Sequence, residues 1–277
     1  MPPFPDPSAS YLLDTDAVEI RRLQVQHETW RPETDQLMDA AGITPGMRIL
    51  ECGSGPGFTT FDLADRVGPT GAVVAIEASD AFVTTLQTRA STFKKDWISV
   101  QQGDACALEV PERSFDIAFM RWLLCYLSTP EKVINEAAAA LKPGGALAVL
   151  DYFNYFGAGV FPEPQLSAPI FRGYEASVRA RGGSFFVGDR LTRMMSDAGL
   201  AIETSFPIVR IAPPGSPAWE WLGRFNAGYQ QHLLENGFLT QREADQFNAY
   251  WERCKTDPAA FFYTPPMIGV VGRKPPA

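Results

Sequence analysis

The chain has 277 residues, 45% hydrophobic and 20% charged, which fits one large α/β domain with insertions and excludes a disordered or fibrous protein. The formal net charge is −8 and the Lys and Arg residues are scattered, so we expect no nucleic-acid partner, because such partners need a basic face. Two histidines and four cysteines without a C-x-x-C pair predict no metal site.

The first ten residues lack the basic and apolar regions of a signal peptide. No apolar stretch is as long as a transmembrane helix. We therefore expect a cytoplasmic protein without a membrane partner. The oligomeric state is not indicated by any sequence feature.

Two helices are predicted before the first strand. Asp16 and Glu19 have the spacing of a capping box, and the apolar residues that follow recur at helical intervals. A second helix is predicted from about Pro32, which suits a first helical turn, to Ala41, where Gly42 ends it.

From Met47 onward, short apolar strands alternate with helices, which predicts a parallel sheet with right-handed crossovers. We predict these first five strands at Arg48–Cys52, Ala72–Glu77, Ile98–Gln102, Phe115–Met120 and Ala146–Asp151. Thr129 and Pro130 predict the start of the helix before the fifth strand, and the Lys142-Pro143-Gly144-Gly145 run predicts its stop.

The alternation lapses after Asp151. Residues 153–188 are rich in aromatic residues, Gly and Pro, and we predict an insertion there. A helix at Asp189–Ala198, a strand around Ile202–Ile211 and a last strand around Met267–Gly272 would complete the sheet. A second insertion is predicted at 216–258, with a helical segment that has one apolar face.

A glycine-rich turn follows the first strand in Glu51-Cys52-Gly53-Ser54-Gly55-Pro56-Gly57. Glycines there let a ligand approach the backbone closely. The third glycine comes one residue earlier than in the dinucleotide fingerprint, and Pro56 removes a backbone donor that a pyrophosphate could use. Glu51 would repel a pyrophosphate but attract an ammonium group, which favours an amino-acid ligand.

Carboxylates also follow the next two strands. Glu77 ends the second strand, where a carboxylate can accept both hydroxyls of a ribose. Asp104 follows the third strand, where it could accept from an adenine amino group. The sequence thus predicts three acidic strand ends around one crevice, although a solvated loop carboxylate is the alternative for Glu77 and for Asp104.

These segments resemble the class I S-adenosylmethionine-dependent methyltransferases. The resemblance covers about Met47 to Tyr152, and includes Phe115-Asp116 and the Leu141–Gly145 run in the expected order. It implies S-adenosylmethionine as cofactor, S-adenosylhomocysteine as product and no metal. The cofactor-binding residues expected on this basis are Glu51, Gly53, Ser54, Gly55, Gly57, Glu77, Ala78, Phe82, Asp104, Ala105, Arg121 and Trp122.

The resemblance also fixes the expected roles and the fold. Glu51 and the glycine turn hold the methionine part, Glu77 the ribose, and Asp104 with Ala105 the adenine, whereas a structural role is an equal alternative for Arg121 and Trp122. The expected fold is a Rossmann-like α/β fold with a seven-stranded, mostly parallel sheet, helices on both faces and an antiparallel last strand. The expected domains are an N-terminal helical cap at 1–45, the cofactor-binding core at 46–152, and at 153–277 the rest of the core, with the insertions completing the substrate cap.

Methyl transfer from a sulfonium is an in-line displacement, so the enzyme mainly holds the reactants and excludes water. If a general base is used, the candidates are His27, Tyr11, Asp151, Tyr155 and His232, with a core histidine as the alternative for His27. The apolar insertions suggest a small, hydrophobic or aromatic acceptor with an O, N or C nucleophile, although the aromatic residues could simply be core.

Two other functions stay open. A nicotinamide-dependent oxidoreductase would need a third glycine at another position and a proton donor such as a Tyr-x-x-x-Lys pair, which this sequence lacks. A protein that binds S-adenosylmethionine without catalysis has the same motifs.

Overall fold

A computed structural model describes residues 17–276, and these form a central sheet with helices around it and a smaller second sheet. The strands are β1 Arg48–Cys52, β2 Ala72–Glu77, β3 Ile98–Gln102, β4 Phe115–Arg121, β5 Leu141–Tyr152, β6 Gly159–Phe161, β7 Ala201–Ile208, β8 Ile211–Ala212, β9 Phe261–Tyr263 and β10 Met267–Arg273. The helices are α1 Ala17–Thr29, α2 Arg31–Ala40, α3 Phe58–Val67, α4 Asp80–Thr92, α5 Pro130–Ala140, α6 Pro164–Arg179, α7 Leu191–Asp197, α8 Pro217–Glu235 and α9 Gln241–Cys254.

The central sheet has seven strands in the order β3-β2-β1-β4-β5-β10-β7. β1 to β5 pair in parallel, whereas β10 pairs antiparallel with both β5 and β7. The strands at the centre are almost wholly buried, as expected where helices cover a parallel sheet. The predicted Rossmann-like fold, with its antiparallel last strand, is confirmed.

Helices pack along the whole width of this sheet. α3 and α4 contact β1 to β3, α5 contacts β4 and β5, and α7 contacts β7 and β10. α2 lies against β5 and β10, whereas α1 contacts α3 on one side and α8 on the other. The two N-terminal helices therefore join the sheet to the second insertion.

The bounds of three predicted elements need correction. β5 starts at Leu141, five residues early, because a register shift after Phe115 accommodates the proline and glycines that we expected to precede the strand. The strand predicted around Ile202–Ile211 is divided, since β7 ends at Ile208 and β8 joins the second sheet. The helix predicted at Asp189–Ala198 is α7, which is shorter at both ends.

The insertion at 153–188 contains a long helix, α6, that its proline and glycine content concealed. Pro164 lies at the first helical turn, where a proline is tolerated, but Pro169 lies inside the helix. Gly173 lets the loop after α8 come close, because a Cβ atom there would lie 3.0 Å from the carbonyl oxygen of Phe238. These residues therefore serve helix packing rather than an irregular loop.

The second sheet ties the insertions together. Its order is β6-β9-β8, and both pairings are antiparallel. α6, from the first insertion, contacts both α8 and α9, from the second.

Asp16, half of the predicted capping box, lies outside the described residues; the side chain of Glu19 binds Arg22 at 2.6 Å.

Candidate active site

Three carboxylates lie at one end of the central sheet, as the strand order requires. β3, β2 and β1 are neighbours, so Asp104, Glu77 and Glu51 follow adjacent strands at their carboxyl ends. Glu51 and Glu77 are buried, at 3% and 7% exposure, whereas Asp104 is exposed. Open α/β sheets bind ligands at this end.

The turn after β1 contains three glycines with positive φ, namely 71° at Gly53, 55° at Gly55 and 89° at Gly57. A Cβ atom at Gly53 or Gly57 would crowd Leu123 or Leu86, so these two glycines are required by packing. A Cβ atom at Gly55 would meet no atom within 4 Å. The middle of the turn therefore faces open space, where a ligand can approach the backbone.

The Glu77 carboxylate closes the side of this turn. It accepts hydrogen bonds from the backbone N–H of Gly55 at 2.8 Å and of Ser79 at 2.9 Å, one on each oxygen. Burial raises the pKa of Glu77, and these N–H groups oppose the rise. The backbone N–H of Ala78 also lowers this pKa, so three backbone groups act on the carboxylate, which has capacity for about one further donor such as a ribose hydroxyl.

The other expected contacts of the cofactor differ in exposure. Ala78 is exposed beside Glu77, and Ala105 is 9% exposed beside Asp104. Phe82 is fully buried in the first turn of α4, so its side chain packs into the core. Ser54 is buried, and its hydroxyl, which is itself enclosed, has no hydrogen-bond partner in the described part of the chain.

Glu51 lies deeper than a solvated ammonium-binding carboxylate would. Its Oε2 accepts a hydrogen bond of 2.5 Å from the Thr60 hydroxyl. Burial is the main cause that raises the pKa of Glu51 to about 8, whereas Thr60 and the nearby Arg121 lower it. Glu51 thus needs a positive partner to ionise fully at neutral pH.

Arg121 and Trp122 end β4 next to the glycine turn. Trp122 has a φ of 51°, which is uncommon for a residue with a side chain and marks a constrained position. Its indole donates to the Met267 sulfur at 3.1 Å and lies over the aromatic ring of Tyr152. Arg121 donates to the Thr34 hydroxyl at 2.8 Å, so it contacts α2.

His27, a candidate base, is a buried and neutral histidine. Burial is the first cause that lowers its pKa to about 3, followed by the positive charge of Arg121. Its Nδ1 lies 3.3 Å from an Arg121 nitrogen, and its Nε2 lies 3.3 Å from the Asp62 carboxylate. Since both ring nitrogens face protein groups, the geometry favours a structural role over proton abstraction.

Each of the other candidate bases among the described residues is buried or hydrogen-bonded. Asp151 is fully buried and accepts from the backbone N–H groups of Cys125 and Tyr152, and burial raises its pKa to about 6. Tyr155 is buried and stacks on Phe185 at 4.4 Å. His232 lies in α8, with its Nε2 3.3 Å from the Ser177 hydroxyl. Tyr11 lies outside the described residues.

Sequence reasoning missed the polar residues that surround Glu51 and Arg121. Thr34, Thr60 and Asp62 are buried at 0%, 0% and 8% exposure. The available signal was their position on helix faces that are otherwise apolar, because a polar group is buried only where it has a partner.

Among residues 17–276, no group of three or more His, Cys, Asp or Glu side chains could hold a metal ion. No helix within the same range is long and apolar enough to cross a membrane.

Comparisons with known proteins agree with this geometry. Residues 50–149 match the family model described as a methyltransferase domain. A demethylmenaquinone methyltransferase from Lactococcus lactis is 33% identical over 46% of this chain and 49% of its own length. Against the first curated relatives that it matches, the chain spans from about half to about three fifths of their length.

Two solved structures share the fold. A SAM-dependent methyltransferase from Aquifex aeolicus superimposes with a TM-score of 0.56 at 16% identity, over 94% of this chain and 98% of that one. The [4+2]-cyclase SpnF superimposes with a TM-score of 0.57 at 19% identity, over 89% and 82%. At these identities the likeness concerns the fold alone. Together with the domain match, it confirms the resemblance found in the sequence.

Proposed function

We propose that this protein, whose residues 50–149 match a methyltransferase domain, transfers a methyl group from S-adenosylmethionine to a small molecule. The observation that carries the proposal is the set of acidic residues at the ends of β1, β2 and β3, beside a glycine turn that is open at Gly55. The Glu77 carboxylate suits a polar nucleoside ligand, because it can accept a further hydrogen bond beside the backbone groups that it already binds.

Each part of the cofactor has a partner in this arrangement. Glu51 and the turn from Gly53 to Gly57 would hold the methionine part, Glu77 the ribose, and Asp104 with Ala105 the adenine. When bound, S-adenosylmethionine supplies an electrophilic methyl group on a sulfonium. Arg121 and Trp122 would border the site on the side of β4.

We propose that the protein accelerates transfer by positioning rather than by a side-chain base. The neutral His27 has each ring nitrogen 3.3 Å from a protein group, and Asp151 is fully buried and hydrogen-bonded. The protein's part is then to align the acceptor with the methyl group and to exclude water from the reacting atoms.

Aromatic side chains support a hydrophobic or aromatic acceptor. Trp122, Tyr152, Phe185 and Tyr155 form one continuous ring cluster, from the end of β4 to the first insertion. The Lactococcus relative is named as a demethylmenaquinone methyltransferase. We propose that the acceptor carries an O, N or C nucleophile. The N-terminal helices and both insertions would cover it. We also propose that the protein works in the cytoplasm.

The test is a calorimetric titration of the protein with S-adenosylmethionine, S-adenosylhomocysteine and NAD. We expect both S-adenosyl compounds to bind and NAD not to bind. Tight binding of NAD, with no heat from the other two, would contradict the proposal and favour an oxidoreductase.

A second candidate function is cofactor binding without methyl transfer. The observation in its favour is that the [4+2]-cyclase SpnF has the same fold, so the fold does not by itself determine the reaction. Formation of S-adenosylhomocysteine in the presence of a panel of phenols and hydroquinones would support methyl transfer. Binding of S-adenosylmethionine with no turnover on the whole panel would favour the second candidate.

A further inference from the structure

A buried polar cluster connects the N-terminal helices to the acidic end of β1. Arg121 is at its centre, with its guanidinium 2.8 Å from the Thr34 hydroxyl and 3.3 Å from His27 Nδ1. We propose that His27 and Thr34 position Arg121 so that its charge helps Glu51 to give up its proton when the ammonium group of the cofactor binds. The inference rests on the proposed function only for the identity of that ammonium group.

The sheet places Arg121 and Glu51 on the same face. Glu51 pairs with Phe119 across β1 and β4, and Arg121 follows Phe119 by two residues. Side chains two residues apart on a strand point to the same side, so the side chains of Arg121 and Glu51 lie on one face at this end of the sheet. Arg121 accordingly lowers the pKa of Glu51 against the effect of burial.

Arg121 is fixed from two directions. Thr34 is fully buried, and its hydroxyl also donates to the Trp30 carbonyl at 2.9 Å, which orients the lone pairs that Arg121 uses. The His27 ring stacks on Phe58 at 5.6 Å, and its Nε2 faces Asp62. A neutral imidazole with Nε2 protonated leaves Nδ1 as an acceptor, so His27 can hold an arginine without repelling it.

Other charges around the cluster do not replace Arg121. The ionisable groups that face Glu51, Arg121 or His27 from neighbouring elements are Cys52, Glu77, Asp62, Arg31 and Arg89. Glu77 and Asp62 disfavour ionised Glu51, and Arg31 binds Asp62 at 3.2 Å. Within residues 17–276, Arg121 is the cation whose charge favours the Glu51 carboxylate.

A measurable proton release follows from this arrangement. Because the pKa of Glu51 is about 8, the carboxyl is mostly protonated in the free protein at pH 7, and binding of an ammonium group must displace that proton. Calorimetry in two buffers with different ionisation enthalpies measures the number of protons released when the full chain binds S-adenosylmethionine. Repeating this from pH 6 to 9 gives the pH at which release is half of its maximum.

Three variants test the role of Arg121 and its supports. Arg121→Met removes the charge, and we expect the midpoint of proton release to rise by about 1 to 3 pH units. Thr34→Val removes one support and should raise the midpoint by a smaller amount. Arg121→Lys keeps the positive charge but replaces the planar guanidinium with a compact ammonium group. We expect its midpoint to lie close to that of the wild type. The ammonium group of the ligand titrates equally in every titration, so differences between proteins report on the protein.

Thr264→Val is the matched control for Thr34→Val. Thr264 is also fully buried and accepts one hydrogen bond, from the backbone N–H of Arg210, so the two substitutions remove the same hydroxyl from similar surroundings. We expect this control to keep the wild-type midpoint. An unchanged midpoint in Arg121→Met, or equal shifts in Thr34→Val and Thr264→Val, would overturn the inference.

A second readout does not depend on the cofactor. The carbon-13 signal of the Glu51 carboxyl, assigned with Glu51→Gln, is followed against pH in the free protein. We expect its midpoint to rise in Arg121→Met and in Thr34→Val, and a midpoint that stays in place would contradict the inference. If wild-type protein does not bind S-adenosylmethionine while this titration shifts as expected, the proposed function fails and the coupling of Arg121 to Glu51 stands.

Discussion

At the scale of single residues, the proposed cofactor site contains a carboxyl whose ionisation opposes folding. Glu51 is fully enclosed, and its pKa of about 8 lies above its ordinary value of 4.5. Between these pH values the folded protein holds a proton that the unfolded chain has released, so the free energy of unfolding falls as the pH rises. A residue kept for ligand binding thus costs stability in the free protein.

Glu51→Gln tests this cost. We expect the free energy of unfolding of the variant, minus that of the wild type, to increase as the pH rises from about 5 to 8, by at most about 1.4 kcal/mol per pH unit. Urea unfolding at several pH values measures it. Glu112→Gln is the control, because it removes the charge of an exposed residue that precedes β4 at the other end of the sheet; it should show no such trend. A difference that does not change with pH would show that Glu51 is ionised in both states.

Glu77→Ala tests the proposed ribose contact. The variant loses a carboxylate that can accept two hydroxyls, and we expect cofactor binding to weaken by about 1 to 3 kcal/mol. Titration calorimetry with S-adenosylhomocysteine measures the loss, and Glu112→Ala should bind as the wild type does. Unchanged affinity in Glu77→Ala would remove Glu77 from the site.

At the scale of elements, the glycines of the turn after β1 are required for two different reasons. Some are required by packing, whereas Gly55 leaves space for a ligand. Gly55 and Gly144 both have positive φ, and a Cβ atom at either would meet no atom within 4 Å. Alanine at each position should therefore cost a similar backbone strain of about 1 to 2 kcal/mol. Only Gly55→Ala adds a methyl group to the open side of the proposed cofactor site.

We therefore expect Gly55→Ala to reduce the affinity for S-adenosylhomocysteine at least tenfold, and Gly144→Ala to leave it unchanged. Thermal unfolding and calorimetry on both variants measure the two effects separately. Gly57→Ala should destabilise more than either, by about a further 1 to 3 kcal/mol, because its new methyl group would overlap with Leu86. Equal affinities in Gly55→Ala and Gly144→Ala would place the ligand elsewhere.

The part of the chain in which strands alternate with helices could be predicted from sequence, whereas the structure of the insertions could not. β1, β2 and β3 have the predicted bounds, because each is a short segment with apolar residues between two predicted helices or turns. α6 was missed because Pro169 and Gly173, which oppose helix formation locally, are accommodated by tertiary packing. Similarly, the partners of Arg121 come from α1 and α2, more than 80 residues away in sequence, and no local pattern shows such a contact.

At the scale of the whole molecule, indole rings join three parts of the chain. Trp30, in the N-terminal region, meets Trp122 from the sheet at 6.4 Å and Trp221 from the second insertion at 5.4 Å, edge to face in both cases. All three rings are nine-tenths or more buried. The N-terminal helices, the sheet and this insertion should therefore unfold as one unit.

Trp30→Ala tests this cooperativity. We expect it to cost about 3 to 5 kcal/mol, since it leaves a cavity where the three parts meet. Urea curves followed by circular dichroism and by fluorescence should coincide in the wild type and separate in the variant. Phe93→Ala, at a ring that is 62% exposed, should cost about 1 kcal/mol or less. Separate transitions in the wild type would show that the cap unfolds independently.

The three-stranded sheet has a consequence for how the acceptor range of such a protein can change. β6 comes from the first insertion, whereas β8 and β9 lie on either side of the second, and β9 hydrogen-bonds to both other strands. Replacing the first insertion with that of a relative would remove the strand that pairs with β9, and replacing the second would remove α8 and α9, which pack against α6. Chimeras that exchange both insertions together should fold where single exchanges fail, so new specificities would arise by inheriting the cap whole.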